Sequence, residues 1–203
     1  MALIPFCGGS YQTKVANQNA QRTVNWYPVE DEQGGEHRII LMPTPGLTSP
    51  FVTLAAGSVV RGMIVHKSLL YAVAANKLYS VTTAGTATER GTLSTSTGRI
   101  GITAIDNEII ITDGTAGYTY VVSTATFAII TDVDYNDAAE VCTAQDGYFL
   151  VAKPSSDQFY ISAVDNGQSW VSTQFASAEG HYDLLVSLIS VKRNLYLIGE
   201  TTT

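Results

Sequence analysis

The chain has 203 residues, 45% of them hydrophobic and 14% charged, with a net charge of −7. That apolar content is enough for one well-buried domain. The 11 Lys and Arg are scattered from Lys14 to Arg193, so no clustered cations are available to displace counterions from a nucleic acid. No run approaches the roughly 18 apolar residues of a membrane span. The opening Met1-Ala-Leu-Ile-Pro-Phe6 lacks the basic region and long apolar core of a secretion signal, so synthesis in the cytoplasm is expected. Two cysteines, Cys7 and Cys142, make no disulfide framework.

Residues 1–50 stand apart from the rest. Gly8-Gly9, Gly34-Gly35, Pro28, Pro43, Pro45 and Pro50 punctuate them, which predicts an extended arm or a few irregular strands. Asp31-Glu-Gln-Gly-Gly-Glu36 reads as a solvated turn. Arg22, Trp26 and Tyr27 are the arm's candidate interface residues. They either fasten the N-terminus to the following domain or a neighbouring subunit, or Trp26 and Tyr27 fill the chain's own core.

From residue 51 onward a pattern recurs. Ile64–Tyr71, Ala104–Ile111, Thr143–Leu150 and Ser190–Leu197 each combine a short apolar run, a three-residue polar turn and three large apolar residues. Such a segment reads as a β-hairpin. The starts are 40, 39 and 47 residues apart (64 to 104, 104 to 143, 143 to 190). A blade of four short strands takes roughly 40–50 residues, so the spacing predicts a β-propeller. Abundant Thr, Val and Tyr suit strands, and no long run shows helical spacing. A third strand follows three of the hairpins, at Lys77–Val81, Tyr118–Val122 and Gln158–Ile161. The fourth equivalent falls near position 204. The expected fold is therefore all-β: about four blades of an incomplete ring over 51–203, the last unfinished as in a fragment of a longer chain, behind an extended arm. Gly57 with Arg61, and Gly98 with Arg99, precede the first two hairpins. Cys142 lies in a strand-like run and reads as a small core residue.

Few motifs carry chemistry. Asp165-Asn-Gly-Gln-Ser-Trp170 fits D-x-G-x-x-W, the heart of the Asp-box turn of sialidases and other propellers. In that reading Asp165 accepts backbone N–H groups, Gly167 supplies positive φ and Trp170 packs beneath. It is a structural turn, because Asp-boxes lie away from the catalytic face. Asp132-Val-Asp-Tyr-Asn136 begins like a calcium loop, but Asp137 and Thr143 stand where glycine and a bidentate glutamate are needed. His37, His66 and His181 have no companion at metal-ligand spacing. No serine elbow or phosphate loop is present. The expectation is no catalytic residue, no metal and no cofactor.

Two regions resemble a known family. Arg22-Thr-Val-Asn-Trp-Tyr-Pro28 with Leu41-Met-Pro-Thr-Pro-Gly-Leu47 is one. Tyr160–Trp170, Phe175–Gly180, Asp183 and Leu197–Thr201 form the other, joined by Arg61-Gly62 and Lys77-Leu-Tyr79. In order and spacing these blocks resemble the packaged-DNA stabilisation proteins, or tail accessory factors, of short-tailed bacteriophages. The resemblance implies a β-propeller virion protein, made in the bacterial cytoplasm, that forms a hexameric ring below the portal. It would contact the portal-adaptor proteins, retain packaged DNA and carry further tail components, without sequence-specific nucleic-acid binding or a membrane. Family members are about twice this length. The competing reading, from the Asp-box-like turn and the eleven tyrosines, is a glycan-binding or glycoside-hydrolysing propeller.

Overall fold

The structure is a computed structural model that describes residues 25–30, 39–46, 51–54, 58–178 and 183–201. It divides into two units, Met1–Pro50 and Phe51–Thr203. In the first, β1 (Trp26–Glu30) pairs antiparallel with β2 (Ile39–Pro43), with Trp26 opposite Pro43 and Tyr27 opposite Met42. Thr44 closes that hairpin through its N–H to the Asn25 carbonyl at 2.9 Å. Arg22 and the turn expected at 31–36 lie outside the described residues.

The second unit is built entirely of strands among its described residues. β3 (Val60–His66), β4 (Leu69–Ala74), β5 (Lys77–Val81) and β6 (Ala87–Thr92) form one antiparallel four-stranded sheet in chain order. β7 (Gly101–Ala104), β8 (Glu108–Thr112), β9 (Gly117–Val121) and β10 (Thr126–Ile129) form the second. β11 (Cys142–Gln145), β12 (Tyr148–Ala152), β13 (Gln158–Ala163) and β14 (Asn166–Ser177) form the third. β15 (Leu185–Val191) and β16 (Asn194–Gly199) make a two-stranded fourth. The first strands of successive sheets, β3, β7, β11 and β15, are neighbours, so the sheets fan out from one side as blades. This is a partial β-propeller.

The second strand of each complete blade shows why the sequence folds this way. A strand buried on both faces reads as a continuous apolar run, not as an alternation. In β8, Ile109 and Ile111 point into the core shared with blade 1, beside Tyr71, Val73 and Leu78, while Ile110 points into the core shared with blade 3. In β12, Phe149 and Val151 face blade 2, and Leu150 and Ala152 face the fourth sheet with Leu185 and Leu188. The core is thus a series of layers between blades.

The hairpin turns are one residue shorter than the polar runs suggested. His66, Gln145 and Asn194 belong to strands. The turns are Lys67-Ser68, Asp146-Gly147 and Lys192-Arg193, and in each both residues have positive φ (46° and 64°, 49° and 85°, 49° and 66°). Two-residue turns of this hand match the right-handed twist of the strands they join, whereas a right-handed turn would splay them. Polarity marked the turn region but could not distinguish a polar turn residue from a polar strand end.

Candidate functional site

The Asp-box-like segment closes the β13–β14 hairpin, with Ala163 opposite Asn166 and Val164-Asp165 at the tip. Asp165, not Gly167, carries the positive φ, at 51°. Its N–H reaches the Gly147 carbonyl at 2.7 Å, and among the described residues its carboxylate accepts no hydrogen bond. Gly167 is required for a different reason. A Cβ there would come within 3.0 Å of Thr119 and 3.1 Å of Phe149, so glycine lets blade 3 approach blade 2. Trp170 does pack beneath the turn. It is 3% exposed, meets the Tyr135 ring edge-on at 5.1 Å, and donates its Nε1–H to the Gly167 carbonyl at 2.7 Å.

The carboxylates that accept backbone N–H groups here come from outside the motif. Glu108, at the start of β8, takes the Gly167 N–H at 2.7 Å, and Asp132 takes the Trp170 N–H at 2.9 Å. Gln168 Nε2 donates to Thr119 Oγ1 at 2.6 Å. Burial pushes the Glu108 carboxyl above its ordinary range, opposed by bonds from Gly167 and Thr119. Asp132 is held below its range by the N–H groups of Trp170 and Asp134. The motif is a joint between blades 2 and 3. A signal for Glu108 existed: a lone charge opening the run Glu-Ile-Ile-Ile needs a buried partner. Asp132 gave none, since its partner lies 38 residues away.

Asp132 is committed within its own loop as well. Asp132 Oδ1 accepts the Asp134 N–H and its backbone carbonyl accepts the Tyr135 N–H, so the start of Asp132–Asn136 is closed on itself. Among the described residues no cluster of three His, Cys, Asp or Glu is placed to hold a metal. His66 Nε2 lies 3.0 Å from the Asp106 carbonyl. His37 and His181 fall outside the described residues. Cys142 sits on β11 with its thiol pushed up to about 12 by burial, which makes it inert packing.

Two further polar centres hold blades 1 and 2 together. The Arg61 guanidinium donates to the carbonyls of Ala75, Thr95, Thr97 and Gly98 at 2.7–3.1 Å, gathering the linker between the blades. Asp113 receives the N–H groups of Thr115 (3.0 Å) and Ala116 (2.8 Å) and the Thr95 hydroxyl (2.8 Å). Burial alone would raise its carboxyl, but those donors hold it below the ordinary range. Its signal was an Asp-Gly pair at a strand end.

What remains free is surface. In the first unit Trp26 is 50% exposed and Tyr27 42%. In the second, an open groove of about 510 Å³ lies between blade 3 and β16. The polar clusters described above hold blades together through their hydrogen bonds.

Comparison with known proteins agrees on the fold. A designed protein, Ika8, is 10% identical with a TM-score of 0.54, the match covering 89% of this chain and 54% of that one. BamB from Moraxella catarrhalis is 16% identical with a TM-score of 0.51, over 68% of this chain and 40% of that one. The chain therefore spans about half or less of the length of these structures, and the likeness concerns fold alone. No curated protein matches in sequence. One family model does match, over residues 2–203, that of bacteriophage P22 Gp10, a β-propeller. Spanning nearly the whole sequence, that match places the chain in the phage stabilisation family, among phage structural proteins.

Proposed function

We propose that this chain works in the virion by docking, without catalysis. It sits below the portal as part of a hexameric ring, retains packaged DNA and carries further tail components. One observation carries the reading, the family match over residues 2–203. The surface chemistry supports it: a net charge of −7 keeps such a wall from gripping DNA that must later leave. In this reading Arg22, Trp26 and Tyr27 fasten the arm to a neighbouring subunit. Aromatic and arginine side chains of this kind anchor interfaces. No helix among the described residues is long and apolar enough to cross a membrane. Sedimentation of the full-length protein with portal–adaptor complexes tests the assignment. Co-migration as a stoichiometric ring is expected, and two independent species at micromolar concentration would overturn it.

A further inference from the structure

Asn166-Gly167 is the one Asn-Gly pair in the sequence, and it sits where blade 3 meets blade 2. Asparagine followed by glycine is the pair most open to ring closure. The second residue has no side chain to shield its backbone nitrogen from the amide carbon of the first. Three features surround that nitrogen and that amide. The Gly167 N–H, whose proton ring closure must remove, points at Glu108 Oε2 at 2.7 Å. Asn166 Oδ1, the oxygen on which charge would develop, accepts the Gln168 N–H at 3.0 Å. The Asn166 side chain is exposed and borders a cavity of about 360 Å³ together with Glu108, Asp165 and Gln168, so ammonia can leave and water can enter. Glu108 itself is 6% exposed, and burial holds its carboxyl above the ordinary range. Once ionised, such a carboxylate is a stronger proton acceptor than a solvated one.

We propose that Asn166 is a self-modification site, converted through a cyclic imide to aspartate and isoaspartate with Glu108 as the general base. Gly167 N attacks Asn166 Cγ while its proton passes to Glu108, and negative charge gathers on Oδ1 against the Gln168 N–H. The Cγ–Nδ2 bond then breaks, Nδ2 takes the proton back from Glu108, and ammonia departs. Water opens the ring at either carbonyl, giving aspartate or an isoaspartate whose main chain runs through the β-carbon. Water is the sole co-reactant. The consequence falls on the joint between the blades. The imide has no N–H to offer Glu108, which leaves a buried carboxylate short of a donor. Isoaspartate lengthens the backbone beside Gly167, which is packed too closely against Thr119 and Phe149 to shift. Either final product adds a carboxylate to a cavity already bordered by Glu108, Asp165 and Asp106, the last paired with Lys67 at 3.2 Å. Modification therefore loosens blade 3 from blade 2.

Peptide mapping by mass spectrometry, with isoaspartate detected by enzymatic methylation, follows Asn166 in the full chain from mildly acid to mildly alkaline pH. In the folded chain the rate should level off once Glu108 is ionised, whereas in urea it should keep rising with hydroxide, about tenfold per pH unit. Glu108→Gln keeps an acceptor for Gly167 but cannot take its proton. It should slow the reaction of the folded chain at least tenfold and leave the rate in urea unchanged. A glutamate that merely pinned the segment would protect Asn166, and its replacement would speed the reaction. Three results would overturn the proposal: Asn166 intact in the folded chain while the unfolded chain converts, a folded-chain rate that climbs with hydroxide without levelling, or an equal or faster rate in Glu108→Gln.

Discussion

Truncating Trp170 to Ala is the sharpest test of the joint between blades 2 and 3. The ring is 3% exposed and lies in a layer with Ile110, Phe149 and Val151, all fully buried on strands held by their ladders. Those strands cannot collapse into the space, so the loss belongs in the range of about 3–5 kcal/mol seen for large aromatic truncations in cores. The Gly167 carbonyl also loses its 2.7 Å donor, which places the expected value near the top of that range. Trp170→Phe keeps most of the ring volume and removes only the donor, so roughly 1–2 kcal/mol is expected. Against a total of about 5–15 kcal/mol, the first change removes a large fraction of the stability and the second a modest one. Urea unfolding at 25 °C, followed by far-ultraviolet circular dichroism, measures both. A loss below about 1 kcal/mol for Trp170→Ala would refute the packing argument.

Three further outcomes follow from other contacts. Glu108 has its carboxyl raised by burial, so its share of stability is present at acid pH and lost as pH climbs through the folded value. Glu108→Gln keeps an acceptor for Gly167, and should be more stable than wild type at neutral pH but equal to it near pH 4. Parallel pH–stability curves would contradict this. Asp113 has the opposite sign: its contribution is present above the ordinary aspartate range and lost on acidification. Asp113→Ala should destabilise by roughly 3 kcal/mol at pH 7, because several buried donors lose a charged acceptor, with a much smaller difference at pH 2. Ser68→Gly should stabilise by about 0.5–1 kcal/mol, since Ser68 sits at φ 64° where a Cβ is unfavourable. A lower melting temperature for that variant would mean the Lys67-Ser68 turn is not left-handed.

The blades were readable in advance because their strands are short, repeated and marked by polar turns. Segments such as Ile64–Tyr71 and Thr143–Leu150 carried that pattern. The Asp-box-like turn was found at its correct place, but its working parts were misassigned. Asp165 was expected to accept hydrogen bonds and Gly167 to supply the left-handed backbone. In the structure Asp165 has the positive φ, and Glu108 and Asp132 do the accepting. A motif specifies a local path, whereas the satisfaction of its N–H groups depends on what the neighbouring blade presents.

Local sequence determined what depends on neighbours a few residues apart: the short apolar runs, the polar segments that mark the turn regions and the recurrence of four hairpins. Only tertiary structure decided which side chains meet between blades. The Gly167–Glu108 bond spans 59 residues, and Arg61 reaches a carbonyl 37 residues away. Such pairings are set by blade stacking, where close approach selects glycine at one position and a buried carboxylate at another. Strand period and turn chemistry are written along the chain, but complementarity between two sheets exists only once both have formed.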